Sequence, residues 1–240
     1  MNASIGWRAT CYVWAAAHLV IGLPLNLLIP ATSAARPSAP ATAAPAKGRL
    51  AVMAGLSFVF AAGWFGSTSM AAHLPRLLQE AGASLPAAIF AAALVGPAQV
   101  AARLLEFSLV RHVHPLLSAR LATLGHPVGA AGLAAFGAPA APFFTFAHGA
   151  GNGVMTIAIG TLPLALFGPA GYGLRQGLLM VPARIMQASA PFVFDLLLSR
   201  YGVASLWMTV GLALASFVVL MLIRHDAHGG GAPPPPARAA

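Results

Sequence analysis

The chain has 240 residues, 59% of them hydrophobic and only 7% charged, with a mean hydropathy of +0.81. Water-soluble domains carry about 25% charged residues, so this composition excludes an ordinary soluble globule and predicts an all-α membrane protein. Basic residues outnumber acidic ones by 13 to 4, but the arginines stand singly without interleaved aromatics, which excludes a nucleic-acid surface; one cysteine, Cys11, excludes an internal disulfide, a CxxC redox pair and a cysteine zinc site.

In chain order, about seven apolar runs reach the ~20 residues needed to cross the hydrocarbon core. They fall near 9–29, 50–73, 86–108, 116–136, 142–165, 174–198 and 203–223. Short connections between them predict antiparallel neighbours in a polytopic bundle whose backbone hydrogen bonds stay within each helix. The division expected is a first helix in 1–30, an Ala/Pro-rich linker at 31–49, a six-helix bundle at 50–224 and a disordered tail at 225–240. The first run also admits a second reading. Arg8, the apolar stretch and the small residues Thr32, Ser33, Ala34 and Ala35 resemble a signal peptide, although the run is longer than usual and contains Gly22, Pro24 and Asn26.

Pro37, Pro40 and Pro45 would break any helix in the linker, which carries Arg36, Lys47 and Arg49. Placing the linker in the cytoplasm puts Arg36, Lys47, Arg49, Arg111, Arg175, Arg224 and Arg238 inside, against Arg8, Arg76 and Arg200 outside. Met1 then lies outside with no preceding span, which is read as a sign that the chain is the later part of something longer.

Three runs hold polar groups. GPAQVAARLLEF places Gln99, Arg103 and Glu106 on one helix face within about 60°, with Arg103 and Glu106 spaced to neutralise each other at i,i+3. HGAGNGVMTIAIGT offers Gly149 and Gly153 for close helix approach, with Gly151 between them and with Asn152 and Thr156 at i,i+4 on one face. Its GxGxG follows no strand and is not a dinucleotide fingerprint. The sixth run, Gly171 to Gly202, sets Arg184, Gln187, Pro191 and Asp195 within a sector of about 80°. Lipid would penalise a charge facing it by about 2.5–3.5 kcal/mol, so this face is expected to look inward.

Eight histidines are present. His18, His126 and His148 fall within the runs, where hydrogen-bonded packing is the ordinary role. Pairing of His18 with His126 as axial ligands supplies the alternative reading, a membrane-embedded haem redox protein. Pro97-Ala98-Gln99-Val100 recurs as Pro182-Ala183-Arg184-Ile185, and Phe107 and Phe192 keep the same 85-residue offset. The third and sixth runs are the middle members of two helix triplets, the pattern of a repeat-built transporter.

The phrases GPAQVAARLLEF, GNGVMTIAIGTLPLALFGPAGYGLRQGLL and PARIMQASAPFVFDLLLSRYG resemble those of a bacterial branch of the major facilitator superfamily. Over about residues 6–224 the chain is similar to the carboxy-terminal half of such a transporter plus the last helix of its amino-terminal half. The segment Asp195 to Gly202 is similar to the loop pattern G-x-x-x-D-R-x-G, departing where Asp195 replaces Gly and Ser199 replaces Asp. The resemblance implies a multi-pass inner-membrane secondary transporter, not an enzyme, working by alternating access without a cofactor or metal. Its partners would be the bilayer, a small-molecule substrate, protons as a candidate coupling ion and a missing amino-terminal half. Gln99, Asn152, Thr156, Arg184 and Gln187 would line the substrate cavity, and Arg103, Glu106, Asp195 and Arg200 would be structural or gating charges. Arg184 would select an anionic substrate; the apolar aromatic run from Phe58 to Phe65 equally suits a hydrophobic one. A non-transporting fragment is the further alternative.

The orientation is tested by impermeant thiol labelling of intact cells after Cys11 is replaced. A cysteine at Ser199 should react and one at Ser38 should not; the reverse pattern inverts the topology.

Overall fold

The computed structural model describes residues 2–28, 47–110 and 114–223, all helical or in short turns. Most of the expected linker and the whole tail, with Arg36, Arg111, Arg224 and Arg238, lie outside the described residues. The chain divides into two units, described in turn, with the division at residue 40.

The first unit holds α1 (Asn2–Ala17) and α2 (Leu23–Leu27), joined through a π-helical turn at His18–Gly22. Three of its polar side chains are satisfied locally. Thr10 Oγ1 donates to the Gly6 carbonyl at 2.9 Å, His18 Nδ1 to Trp14 at 2.8 Å and Asn26 Nδ2 to Gly22 at 2.8 Å. Each bond returns to the carbonyl four residues back, which removes the cost of a bare polar group in an apolar medium. Gly6–Leu27 is long and apolar enough to cross a membrane, and none of its most apolar stretch is buried in protein.

The second unit is an antiparallel helical bundle. Its helices are α3 (Lys47–Glu80), α4 (Leu85–Ala93), α5 (Val95–Leu105), α6 (Pro115–Phe136), α7 (Ala141–Phe167), α8 (Tyr172–Tyr201) and α9 (Leu206–Leu222). The turns between them follow from local chemistry. Ser84 Oγ accepts from the Ala87 amide at 3.4 Å and caps α4, with proline in the first turn. Gly137 and Gly202 end α6 and α8 at φ 64° and 54°, where a side chain would strain the backbone. A break at Leu94 separates α4 from α5, and α5 runs on into a π-helical turn at Glu106–Val110.

Two apolar layers hold the bundle. Met70, Leu74, Leu77, Leu78, Phe144, Phe194 and Leu198 anchor one end, with Leu133 and Leu206. Leu56, Phe60, Leu116, Leu162, Leu179 and Leu220 anchor the other. Since each layer draws on opposite ends of successive helices, the helices alternate in direction. α3, α6, α7 and α9 form the interior, α8 packs along α3 and α5 along α7. The outer surface remains apolar: Val100, Leu104, Phe107, Ile185, Phe192 and Leu196 are all exposed. An apolar exterior around a packed interior is the arrangement a bilayer requires.

Among the described residues five segments are long and apolar enough to span: Gly6–Leu27, Gly48–Glu80, Leu85–Ser108, Ala138–Phe167 and Tyr172–Leu222. The expected seven runs are thereby regrouped. The last two form one 51-residue segment containing α8 and α9, divided by the turn at Gly202. The fourth expected run corresponds to α6, which falls outside this set because Arg120, His126, Pro115 and Pro127 dilute its apolar character. Within the proposed 85-residue repeat, Ala98 and Ala183 are both fully buried. Pro97, however, sits in the first turn of α5 just after the Leu94 break, whereas Pro182 lies inside α8.

The tightest packing is along α7. A Cβ on Gly149 would lie 2.8 Å from the Val95 carbonyl, and one on Gly153 would lie 2.6 Å from that of Gln99. Both glycines therefore face α5. Gly151 faces the other way: its Cβ would lie 2.5 Å from the Ala122 carbonyl of α6, and Gly125 on α6 answers with 2.5 Å to Ala147. The glycine seam expected of this run is present and two-sided. Gly153→Ala and Gly151→Ala should each destabilise the bundle by about 1–3 kcal/mol, as overpacking of a closed interface does. Gly211→Ala on α9, which meets nothing within 4 Å, should be neutral or slightly stabilising. Thermal unfolding in detergent, read for the three variants side by side, checks this; equal behaviour would mean that the seam is not a close approach.

Candidate functional site

The polar residues expected to share one cavity fall into separate groups. The first lies between α5 and α7. Arg103 donates from Nε to the Gly153 carbonyl at 3.4 Å and from Nη2 to Thr156 Oγ1 at 3.0 Å and Gln99 Oε1 at 3.4 Å. The absence of a side chain at Gly153 lets the guanidinium reach that carbonyl, and Thr156 in turn donates to it at 2.7 Å. The expected pairing of Arg103 with Glu106 does not form. Arg103 turns to α7, while Glu106, at the start of the π-helical turn, lines an apolar groove between α5, α6 and α7 together with Ser118, Leu121, Phe143 and Phe146. That groove measures about 430 Å³; the Glu106 carboxyl group is hydrogen-bonded to Ser118, and its buried Oε2 has no partner among the described residues.

The second group lies between α8 and α3. Arg184 Nη1 donates to Gln187 Oε1 at 2.6 Å. Its Cζ stands 5.0 Å from the centre of the Trp64 ring, a cation–π geometry worth about 0.5–1 kcal/mol at an exposed site. The guanidinium is exposed on the protein surface, and no carboxylate pairs with it among the described residues. Trp64, which lies in the apolar aromatic run from Phe58 to Phe65, is the floor under Arg184.

The third group ties the far ends of α3 and α8. Arg76 Nη1 lies 2.7 Å from Asp195 Oδ1, and Arg76 Nη2 donates to Ser199 Oγ at 3.0 Å. His73 Nε2 donates to the Pro191 carbonyl at 2.9 Å, with Nδ1 3.8 Å from Asp195. Asp195 is thus a structural tether at this end of the bundle. Arg200 lies over Tyr201, its Cζ 5.8 Å from the ring centre.

Among the described residues, Asn152 is the one of the five cavity candidates that lines a cavity found here. About 70 Å³ in volume, this cavity lies at mid-height between the two apolar layers, lined by residues of α3, α6, α7 and α9. Ser67, Thr123, Asn152, Thr209 and Ser216 contribute its polar lining, together with two buried histidines, His126 and His148. The histidines face each other, Nδ1 to Nδ1 at 3.0 Å, and His126 Nε2 lies 2.8 Å from Thr209 Oγ1. Phe144 packs on both rings, with centroid separations of 5.5 and 6.2 Å. Both nitrogens of His126 are therefore engaged by protein, so axial ligation of a haem would cost one of these bonds. Its supposed partner, His18, belongs to the other unit.

No hydrogen bond or ion pair among the described residues joins these groups to one another. What the sequence reading missed is the His126–His148 pair. The signal was available: each lies eleven residues from Gly137, on opposite sides, so a reversal there brings them to one height.

No family model and no curated protein matches this chain. What stands is a helical membrane protein with five segments able to span a bilayer.

The Arg76–Asp195 tether should be weak in isolation, because both side chains are about half exposed and such pairs contribute roughly 0–1 kcal/mol. A double-mutant cycle with Arg76→Gln and Asp195→Asn, read by thermal unfolding, should give a coupling below about 1 kcal/mol that shrinks with added salt.

Proposed function

We propose that this chain is the carboxy-terminal portion of a secondary transporter of the major facilitator type, and that its substrate carries an anionic group. The observation that carries the reading is the state of two arginines inside apolar helices. Among the described residues Arg103 and Arg184 are held by neutral partners alone, Gln99, Thr156 and a backbone carbonyl for one and Gln187 and Trp64 for the other. A guanidinium retained within a span without a carboxylate is costly unless it serves a ligand or a water-filled path. The planar fork then suits bidentate recognition of a carboxylate, sulfonate or phosphate.

On this reading α5 and α8, the middle members of two helix triplets, carry the substrate-facing charges, and their glutamines orient the guanidinium groups. Alternating access would rock this bundle against the other half of the transporter, with Asp195 and Arg76 holding α3 and α8 together at one end as they move. The apolar outer surface meets lipid, and the location is the bacterial inner membrane.

The test is solute-driven current in proteoliposomes containing the full-length transporter, screened with a panel of small carboxylates, sulfonates and phosphates. At least one should give a saturating current. Arg184→Gln should abolish that current while folding at least as well as wild type, since it removes a costly charge. Arg184→Lys keeps the charge but not the fork, and should lower the current. Normal current in Arg184→Gln would remove Arg184 from the substrate path and overturn the anionic reading.

A further inference from the structure

We infer that His126 and His148 form a single-proton binding site, with His148 Nε2 as the atom that takes the proton from water in the cavity at mid-height of the bundle. The argument is one of hydrogen-bond direction. Thr209 Oγ1 lies 2.8 Å from the Leu206 carbonyl and donates its only proton there. It can therefore only accept from His126 Nε2, 2.8 Å away, which fixes the proton of a neutral His126 on Nε2. His126 Nδ1 is then an acceptor, and the 3.0 Å contact with His148 Nδ1 requires that His148 donate. A neutral His148 with its proton on Nδ1 leaves Nε2 with a bare lone pair, and no hydrogen bond occupies that nitrogen among the described residues.

The chain Leu206 carbonyl, Thr209, His126, His148 thus runs in one direction and ends on one basic atom. A proton added at His148 Nε2 leaves every bond of the chain in place, and the imidazolium keeps His126 Nδ1 as its acceptor. A proton added to His126 has only Nδ1 to go to, and it would collide with the proton His148 donates. The site therefore takes one proton, and on His148. The cavity supplies the access: His148 lines it with Asn152, Ser67 and Ser216, and about 70 Å³ admits a few water molecules among those polar groups.

Other titratable groups are turned away. From α6 only His126 faces His148. α4 and α9 contain no titratable or charged residue, and α5 offers Arg103, which is bound to Gly153 and Thr156. α3 lines the cavity with Val59, Ala62, Gly63, Gly66 and Ser67, and α8 contributes nothing to it. The pair is therefore a proton site free of a fixed counter-charge. A role for that proton as coupling ion rests on the transporter reading above; the existence of the site does not.

The experiment is nitrogen-15 NMR of the full chain in lipid nanodiscs, with labelled histidine, titrated across the pH range in which the protein stays folded. One imidazole should move from the neutral to the protonated pattern, assigned to His148 by its loss in His148→Gln. His126 should keep its Nε2–H form throughout, and a nitrogen–nitrogen coupling across Nδ1···Nδ1 should persist on both sides of the transition. Titration of both rings, of neither, or of His126 in place of His148 would overturn the inference, and so would Nδ1–H on neutral His126. If His148→Gln fails to fold, the wild-type spectrum still decides, since the coupling identifies the pair and shows which ring donates. A full-length transporter that shows this titration but moves no solute would retain the site and end the transporter reading; one that transports with no titrating imidazole would do the reverse.

Discussion

The backbone of α7 approaches its neighbours on two sides at distances that no side chain would permit. Gly149 and Gly153 meet the Val95 and Gln99 carbonyls of α5, and Gly151 meets Ala122 of α6. Between apolar helices in lipid there is no hydrophobic drive to associate, so close van der Waals contact and interhelical hydrogen bonds must supply the attraction. The polar features of the interior depend on this approach. It carries Arg103 to the Gly153 carbonyl, and it brings α6 close enough to α7 for His126 and His148 to share one hydrogen bond.

A second constraint acts at the helix ends. The last carbonyls of a helix have no amide partner within it and carry partial negative charge. Three arginines answer this at one end of the bundle. Arg120 donates to the Leu220 and Ile223 carbonyls after crossing from α6 to the end of α9. Arg49 donates to Phe167, and Arg175 to Gly168 and Ala170, around the end of α7. Arg49 and Arg175 also stand over the Phe167 ring, at 5.4 and 5.1 Å. The charges that an orientation rule counts are here tied to particular carbonyls, so they anchor helices as well as marking one side of the bundle.

The intramembrane charges divide by whether an opposite charge meets them. Asp195 has Arg76, and with Ser199 and His73 the pair closes one end of the α3–α8 contact. Among the described residues Arg103 and Arg184 have only neutral oxygen partners and, for Arg184, an indole face. Deeper inside, the cavity at His126 and His148 is lined by no fixed charge among the described residues, and an oriented chain of hydrogen bonds runs through Thr209 and His126 to His148. Structural charge, exposed cation and neutral polar cavity thus occupy different places, although the same stretches of sequence contain all three.

Apolar runs and composition fix by themselves that this is a helical chain suited to a bilayer, because no soluble packing can cover so much apolar surface. The glycine spacing in α7 likewise announces a close approach, since absent side chains have no other use at that period. Face periodicity, however, says which residues point the same way and not what they point at. Face periodicity groups Gln99, Thr156, Arg184 and Gln187 with polar faces, and in the structure they lie apart from the cavity that Asn152 lines. Arg103 and Glu106 stand three residues apart but diverge, because the Gly153 carbonyl is available on one side and the groove beside Ser118 on the other. Only the tertiary structure decided that Trp64 lies under Arg184, that Arg76 reaches Asp195 and that two histidines equidistant from Gly137 meet. Each of these depends on which helix lies beside which, and that is set by packing between helices rather than by the pattern along any one of them.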